Sequence, residues 1–584
     1  MNTDPGASRI SDQETPRGRT LSRRSVAKLA ALTLSAQGVA ALLAACGGTT
    51  APTATSAPAS SAASPAAASS SAASGATGVA KSTSANTSAA KFKAPIVTQG
   101  VDPETLDPHF GESGISGNVF ANCLEPLIGY DRKMNLVPVL AESWQTMDDK
   151  VTWRFKLRQN VQFQNGEPFN ADAVKFTIDR TMDAALRAKG LNDPFPDRSG
   201  ITKVNVIDPF TVDMVLKEPN IVLPVFLTFL YMLEPKYYTA TPIQQTALKP
   251  IGTGPWQVTE WVKGDHLTLK SFTGYWRGDP GIPEITFKPV PEKATGINML
   301  LAGEADLVGN LAPEDFPTIQ GNSKLRTSMA QGSRRVHLGI PANAPKYKDR
   351  AIRQALRQAV DYAGIAKALL GPLAPKPRPD VLVAGDTWLN SQLPLPQYSA
   401  DAAKKALQAA NFPFSTKISV YSPAGRYLKD KELAQAVAGN LRSIGLQADA
   451  QILDWTVYTD KMRSKEGLDD LYLLGLGSRF YGPEDVSIVT TGQIWDQTHW
   501  ITDTQNGPVF QKMYKDLIQT FDDKKQHETV NEMQRLFVEE SVWLPLWLEP
   551  AASGVNKRLT WEDSGGGNRL AFWLQGEDPV KVTA

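Results

Sequence analysis

The strongest constraint on this chain is a stretch that cannot fold. Of the 42 residues from Thr49 to Ala90, 34 are Ala, Ser or Thr, with no apolar face of any period. Such a segment buries too little apolar surface to offset its ordering entropy, and it reads as a flexible leash at 47–90. It divides the 584-residue chain into a short head and a body beginning near residue 91, long enough for two or three domains.

The head has the grammar of an address. Ser22-Arg23-Arg24-Ser25-Val26-Ala27-Lys28 precedes a mildly apolar run, Leu29 to Ala45, broken at Gln37-Gly38 and ending in Leu43-Ala44-Ala45-Cys46. The run is too short and too weakly apolar to span a bilayer comfortably. Residues 1–46 are therefore expected to be a signal segment: the paired arginines resemble a twin-arginine export signal, and the final four residues resemble a bacterial lipobox with Cys46 as the lipidated residue. Several acyl chains would hold the protein at a membrane surface.

Charge and cysteine content remove other classes. The full chain has 61 basic and 60 acidic side chains. Without residues 1–45 the balance is 55 to 57, a charge of −2 that offers no field for nucleic acid. Of the two cysteines, only Cys123 lies in the body, so no intramolecular disulfide forms there. Cys123 sits in the apolar run Val119 to Leu124, where a buried thiol is inert.

The body alternates strand and helix patterns. Ala94 to Thr98 and Val151 to Leu157 read as strands, Asn170 as a helix N-cap, and 201–216 as two strands around Asp208-Pro209. Asp349 to Leu370 carries a 3.6-period apolar stripe stopped by Gly371-Pro372. Ile418 to Tyr421, Asp430 to Ile444 and Ala448 to Leu453 form strand, helix and strand, so the fold class is α/β with a parallel sheet in this part.

A long series of short motifs then carries a resemblance. It begins with Leu106-Asp107-Pro108-His109, Leu124-Glu125-Pro126-Leu127-Ile128, Leu140-Ala141-Glu142-Ser143-Trp144 and Leu157-Arg158-Gln159-Asn160-Val161. It continues with Pro168-Phe169-Asn170-Ala171-Asp172, Gly252-Thr253-Gly254-Pro255-Trp256, Tyr275-Trp276-Arg277-Gly278, Leu301-Ala302-Gly303-Glu304-Ala305-Asp306 and Arg353-Gln354-Ala355-Leu356. From about residue 94 to 550 the chain resembles the extracytoplasmic solute-binding proteins of ABC importers, in the family that takes up oligopeptides, dipeptides, nickel chelates and some oligosaccharides.

The resemblance implies a two-lobed, periplasmic-binding-protein-like fold of the type II large cluster. Lobe one would comprise 91–141, 249–340 and 548–584, with an inserted subdomain at 142–248, and lobe two 341–547. Two crossing strands would join the lobes, and hinge closure would trap the ligand for delivery to permease and ATPase subunits. The implied protein is a monomer with no cofactor and no resident metal.

Two segments of the family reach the ligand. In the first, Glu112, Ser113 and Gly114 are expected to offer backbone hydrogen bonds. In the second, peptide binders carry an Asp that pairs with the ligand's α-ammonium; here the run is Gly477-Ser478-Arg479-Phe480, with Arg479 at that place. A guanidinium suits a carboxylate, a phosphate or sugar hydroxyls and repels a buried ammonium. Glu484 or Asp485 is the alternative holder of the acidic role. Trp388, Trp455, Trp495 and Trp500 add aromatic faces suited to sugar rings. The ligand expected is an oligosaccharide or another polar solute without a free α-amine, with a peptide as the alternative. A nickel chelate ranks lower, since the five histidines are scattered, and so does a secreted hydrolase, since no zinc helix, nucleophile elbow or phosphate loop is present.

Overall fold

The computed structural model describes residues 93–583 except 112–113, 132–133, 192–198, 384–386, 465–466, 478–482, 484, 487–497, 565–569 and 573–577. Cys46 and the leash therefore lie outside the described residues, as do Glu112, Ser113, Ser478, Arg479, Phe480, Glu484 and Trp495.

Two sheets organise the two lobes. The first has seven strands in the order Leu325–Ala330, Ala551–Asn556, Leu307–Val308, Ile96–Gln99, Glu284–Pro289, His266–Ser271 and Trp256–Val262. Its centre is parallel, because Ile96–Gln99 runs alongside both Glu284–Pro289 and Leu307–Val308. The second has five strands in the order Gln447–Leu453, Lys417–Pro423, Leu471–Gly477, Arg334–Gly339 and Trp543–Leu548. The strand, helix and strand expected in this part are present: Lys417–Pro423 pairs in parallel with Gln447–Leu453 across the helix Asp430–Ser443.

A four-stranded antiparallel sheet, Ala141–Thr146, Thr152–Leu157, Thr211–Leu216 and Ile201–Asp208, carries its own core. The helix Ala171–Met182 covers it, and the Asn170 side chain caps that helix by accepting from the amides of Asp172 and Ala173 at 3.0 and 3.2 Å. One element differs from expectation. The stripe over 349–370 is two helices, Arg350–Gln358 and Tyr362–Leu370, because the Asp361 carboxylate accepts from the Gly364 amide at 2.9 Å and starts a new helix.

The chain passes between the sheets twice, each time in a few residues. It leaves the first sheet at Ala330, enters the second at Arg334, and returns from Leu548 to Ala551. The crossings are packed on each other: a methyl added at Gly332 would overlap the Glu549 carbonyl oxygen. The Glu549 amide donates to the Arg334 carbonyl at 2.7 Å, and the Arg334 guanidinium pairs with the Glu549 carboxylate at 2.6 Å.

Candidate functional site

A cleft of about 1200 Å³ opens beside these crossings, with walls from both lobes. On the first lobe the wall includes Gln99, Gly114 and Asn118; on the second it includes the loop from Gly425 to Lys431, and Gly477. Gly332 and Glu549 border it as well, so rotation about the crossings changes the width of the cleft.

The floor on the first-lobe side is stitched by one carboxylate. Glu125 is 3% exposed and accepts from Thr253 Oγ1 at 2.9 Å, Tyr275 Oη at 2.8 Å and Trp276 Nε1 at 2.8 Å. Burial pushes its carboxyl above the usual range, against the three donors and Arg277, which act the other way. Three of the sequence motifs thus meet at one acid. Gly252 and Gly254 belong to the same knot, since a Cβ at either would collide with the backbone of Cys123 and Leu124. Cys123 itself is fully buried, and burial pushes its thiol up.

The second-lobe wall is shaped by Asp430. Its carboxylate accepts from the amides of Gly425, Arg426 and Tyr427 at 3.1, 2.6 and 3.0 Å, which curls the loop ahead of the helix and turns Arg426 outward. Arg426 is exposed on the cleft wall with its guanidinium carbon 5.0 Å from the ring centroid of Trp455 and 5.9 Å from that of Tyr427. Trp455 is in turn stacked on Tyr458, with ring centroids 6.0 Å apart. Arg426 has no carboxylate partner among the described residues, so its fork of donors is free for a solute.

Beside it, Lys429 adopts left-handed backbone (φ 60°) and reaches across the cleft to Glu314 of the first lobe, 3.0 Å away. The pair lowers the Glu314 carboxyl and raises the Lys429 ammonium, though the backbone acts more strongly on Glu314.

The expected site residues are distributed unevenly. Gly114 and Gly477 line the cleft, and Trp455 braces Arg426 from behind. Trp388 is elsewhere, stacked on His527 with centroids 4.0 Å apart. Trp500 is fully buried, edge-on to Phe510 and Phe537, and serves the core of the second lobe. Asp485, the alternative acid, is 2% exposed and paired with the equally buried Arg335. Arg426 was not singled out from the sequence; its signal was the Gly425-Arg426-Tyr427 turn just ahead of the helix start at Asp430. Among the described residues no three His, Cys, Asp or Glu side chains are grouped to hold a metal ion, and no helix is long and apolar enough to cross a membrane.

Comparison with known proteins fits this geometry. Residues 135–493 match the family described as "Bacterial extracellular solute-binding proteins, family 5 Middle". The glutathione-binding protein GsiB of Shigella flexneri is 27% identical over 481 residues, covering 80% of this chain and 91% of that protein. Among solved structures, NikA from Brucella suis in complex with Fe(III)-EDTA superposes with a TM-score of 0.74 at 21% identity, covering 84% of this chain and 100% of that one. DppA from Helicobacter pylori in complex with the peptide STSA gives 0.67 at 18% identity, with 84% and 98% covered.

Proposed function

Because the chain belongs to the bacterial extracellular solute-binding proteins of family 5, we propose that its cleft captures a short peptide bearing free carboxylates, of the size and charge of glutathione. Membership makes it a substrate-binding component of an ABC importer that works outside the cytoplasm, hands solute to permease and ATPase subunits, and is not an enzyme.

The oligosaccharide expected from the sequence is not supported. That expectation rested on Arg479 in place of an ammonium-pairing Asp and on grouped tryptophans, but Arg479 lies outside the described residues, Trp500 is core and Trp388 is stacked on His527, while GsiB is named for glutathione, which carries a free α-amine. The peptide alternative is the better supported.

The observation that carries the reading is Arg426, exposed in the cleft, braced on Trp455 and Tyr427, and without a carboxylate of its own among the described residues. Glutathione is a tripeptide with two carboxylates and one ammonium. Arg426 suits one carboxylate, and we assign the other to Arg479, which replaces the ammonium-pairing Asp of peptide binders. Gly114 and Gly477 on the walls, with Glu112 and Ser113 beside the first, would supply backbone hydrogen bonds. Export and lipid attachment at Cys46 complete the proposal, placing the domain at the outer face of the cell membrane on the 47–90 leash as a monomer.

Isothermal titration of the full chain with glutathione, a carboxyl-blocked tripeptide and maltotriose tests the reading. Glutathione should bind and the other two should not. Arg426→Ala should weaken it about 10- to 100-fold, the loss of one charged hydrogen bond. Binding of maltotriose with none of glutathione would restore the sugar reading.

A further inference from the structure

The inserted subdomain touches the second lobe at residues that take no part in the cleft. Trp153, on the strand Thr152–Leu157, meets Phe521 with ring centroids 6.3 Å apart, and Lys150 Nζ lies 5.4 Å from the centroid of the same Phe521 ring. The Ile221 amide donates to the Ile518 carbonyl at 2.8 Å, and Gln519 Nε2 donates to Glu218 Oε2 at 3.1 Å. The side chains of Ile518 and Phe521 pack onto the core of the subdomain.

These partners belong to different moving bodies. Ile518 ends the helix Gly507–Ile518, and Phe521 lies in the link to the helix Asp523–Glu540; Phe510, Leu517, Val530 and Phe537 of those two helices are buried in the core of the second lobe. Arg180 of the subdomain is locked to Asp107 of the first lobe by hydrogen bonds of 3.2 and 2.6 Å, so the subdomain moves with that lobe. The contact therefore bridges the lobes away from both the crossings and the Lys429–Glu314 pair, and none of its residues lines the cleft.

We propose that this contact is a clasp that holds the lobes closed, and that closing it is the task of the inserted subdomain. It combines apolar burial, which favours closure without direction, with one backbone and one side-chain hydrogen bond that fix the docking register. A clasp of this kind raises the fraction of closed molecules, and apparent affinity scales with that fraction. Its consequence for uptake rests on the capture reading above, but the clasp itself is testable without any solute.

The measurement is small-angle scattering of the ligand-free full chain, with hydrogen exchange at the Ile221 amide. Gln519→Glu places a like charge against Glu218 on an exposed seam and leaves both cores intact. The radius of gyration should rise, and exchange at Ile221 should quicken about tenfold at low salt. Both should return toward the unaltered values in 1 M NaCl, where the screening length is about 3 Å. Phe521→Ala should open the lobes regardless of salt. If neither variant changes the radius of gyration, whether or not its melting temperature falls, the contact is a permanent seam and the clasp is refuted.

Discussion

The Leu106-Asp107-Pro108-His109 motif is expected to fail as a unit, and Asp107→Ala is the perturbation that shows it. The Asp107 carboxylate is fully buried and takes four donors: Arg180 Nη1 and Nη2 at 3.2 and 2.6 Å, Thr246 Oγ1 at 3.1 Å and the His109 amide at 3.2 Å. Arg180 also meets His109 Nδ1 at 2.8 Å, which casts that nitrogen as acceptor. Burial and then the Arg180 charge hold the His109 imidazole well below its ordinary range, so the ring is neutral.

Removing Asp107 leaves a guanidinium buried without its counter-charge, at a cost of about 3–5 kcal/mol. With an unfolding entropy of about 2.1 cal/mol/K per residue over about 490 residues, or about 1 kcal/mol/K, the melting temperature should fall by about 3–5 °C. Calorimetry of the variant beside Lys175→Ala gives the comparison, since the Lys175–Asp179 pair is nearly half exposed and should contribute almost nothing. The double variant Asp107→Leu with Arg180→Met should recover most of the loss, because an apolar pair leaves no orphaned charge. A shift below about 1 °C for Asp107→Ala, or a double variant worse than the single, would refute the reasoning.

Two other outcomes are expected. His337 is fully buried and stacked 3.7 Å from Trp543, and burial pushes its pKa down from 6.5 to about 3 against the opposing effect of the Arg335 backbone. The unfolded chain takes up this proton first as pH falls, so stability is lost from pH 6.5 downward at up to about 1.4 kcal/mol per pH unit. His337→Phe should change stability at pH 7 by less than about 1.5 kcal/mol and make that slope shallower in urea titrations at pH 7, 6 and 5, the buried His109 keeping its own contribution; an unchanged slope contradicts the assignment. Gly332→Ala forces a methyl against the Glu549 carbonyl where the crossings touch, and should cost about 1–3 kcal/mol and widen the cleft. Full stability with unaltered scattering would show that the crossings are not in contact in solution.

Much of the fold is legible in the chain because its signals are local. The Asn170 cap, the paired strands at 201–216 and the strand, helix and strand from 417 to 453 each follow from residues within a few positions of one another. The apolar stripe over 349–370 predicts a continuous helix because it persists across the break, while the cap at Asp361 is one side-chain bond that periodicity does not register. The cleft is less legible. Trp388, Trp455 and Trp500 look alike in sequence, yet one stacks on a surface histidine, one braces an arginine and one fills a core. Which of these happens depends on neighbours far along the chain, and Arg426 faces the cleft only because the Asp430 carboxylate curls the loop before it.

The order of the first sheet bears on how the protein is made. Leu325–Ala330 has a single partner strand among the described residues, Ala551–Asn556, which also flanks the parallel centre at Leu307–Val308. Ala551–Asn556 is synthesised about 220 residues after its partner Leu325–Ala330. At about 5–20 residues per second, the first lobe waits on the order of tens of seconds with an open edge, while the inserted subdomain and the second lobe can already assemble. The first lobe gains its Ala551–Asn556 strand only after the second lobe's Trp543–Leu548 has been made, and a chain stopped before residue 551 is left with an unpaired strand edge, a template for aggregation.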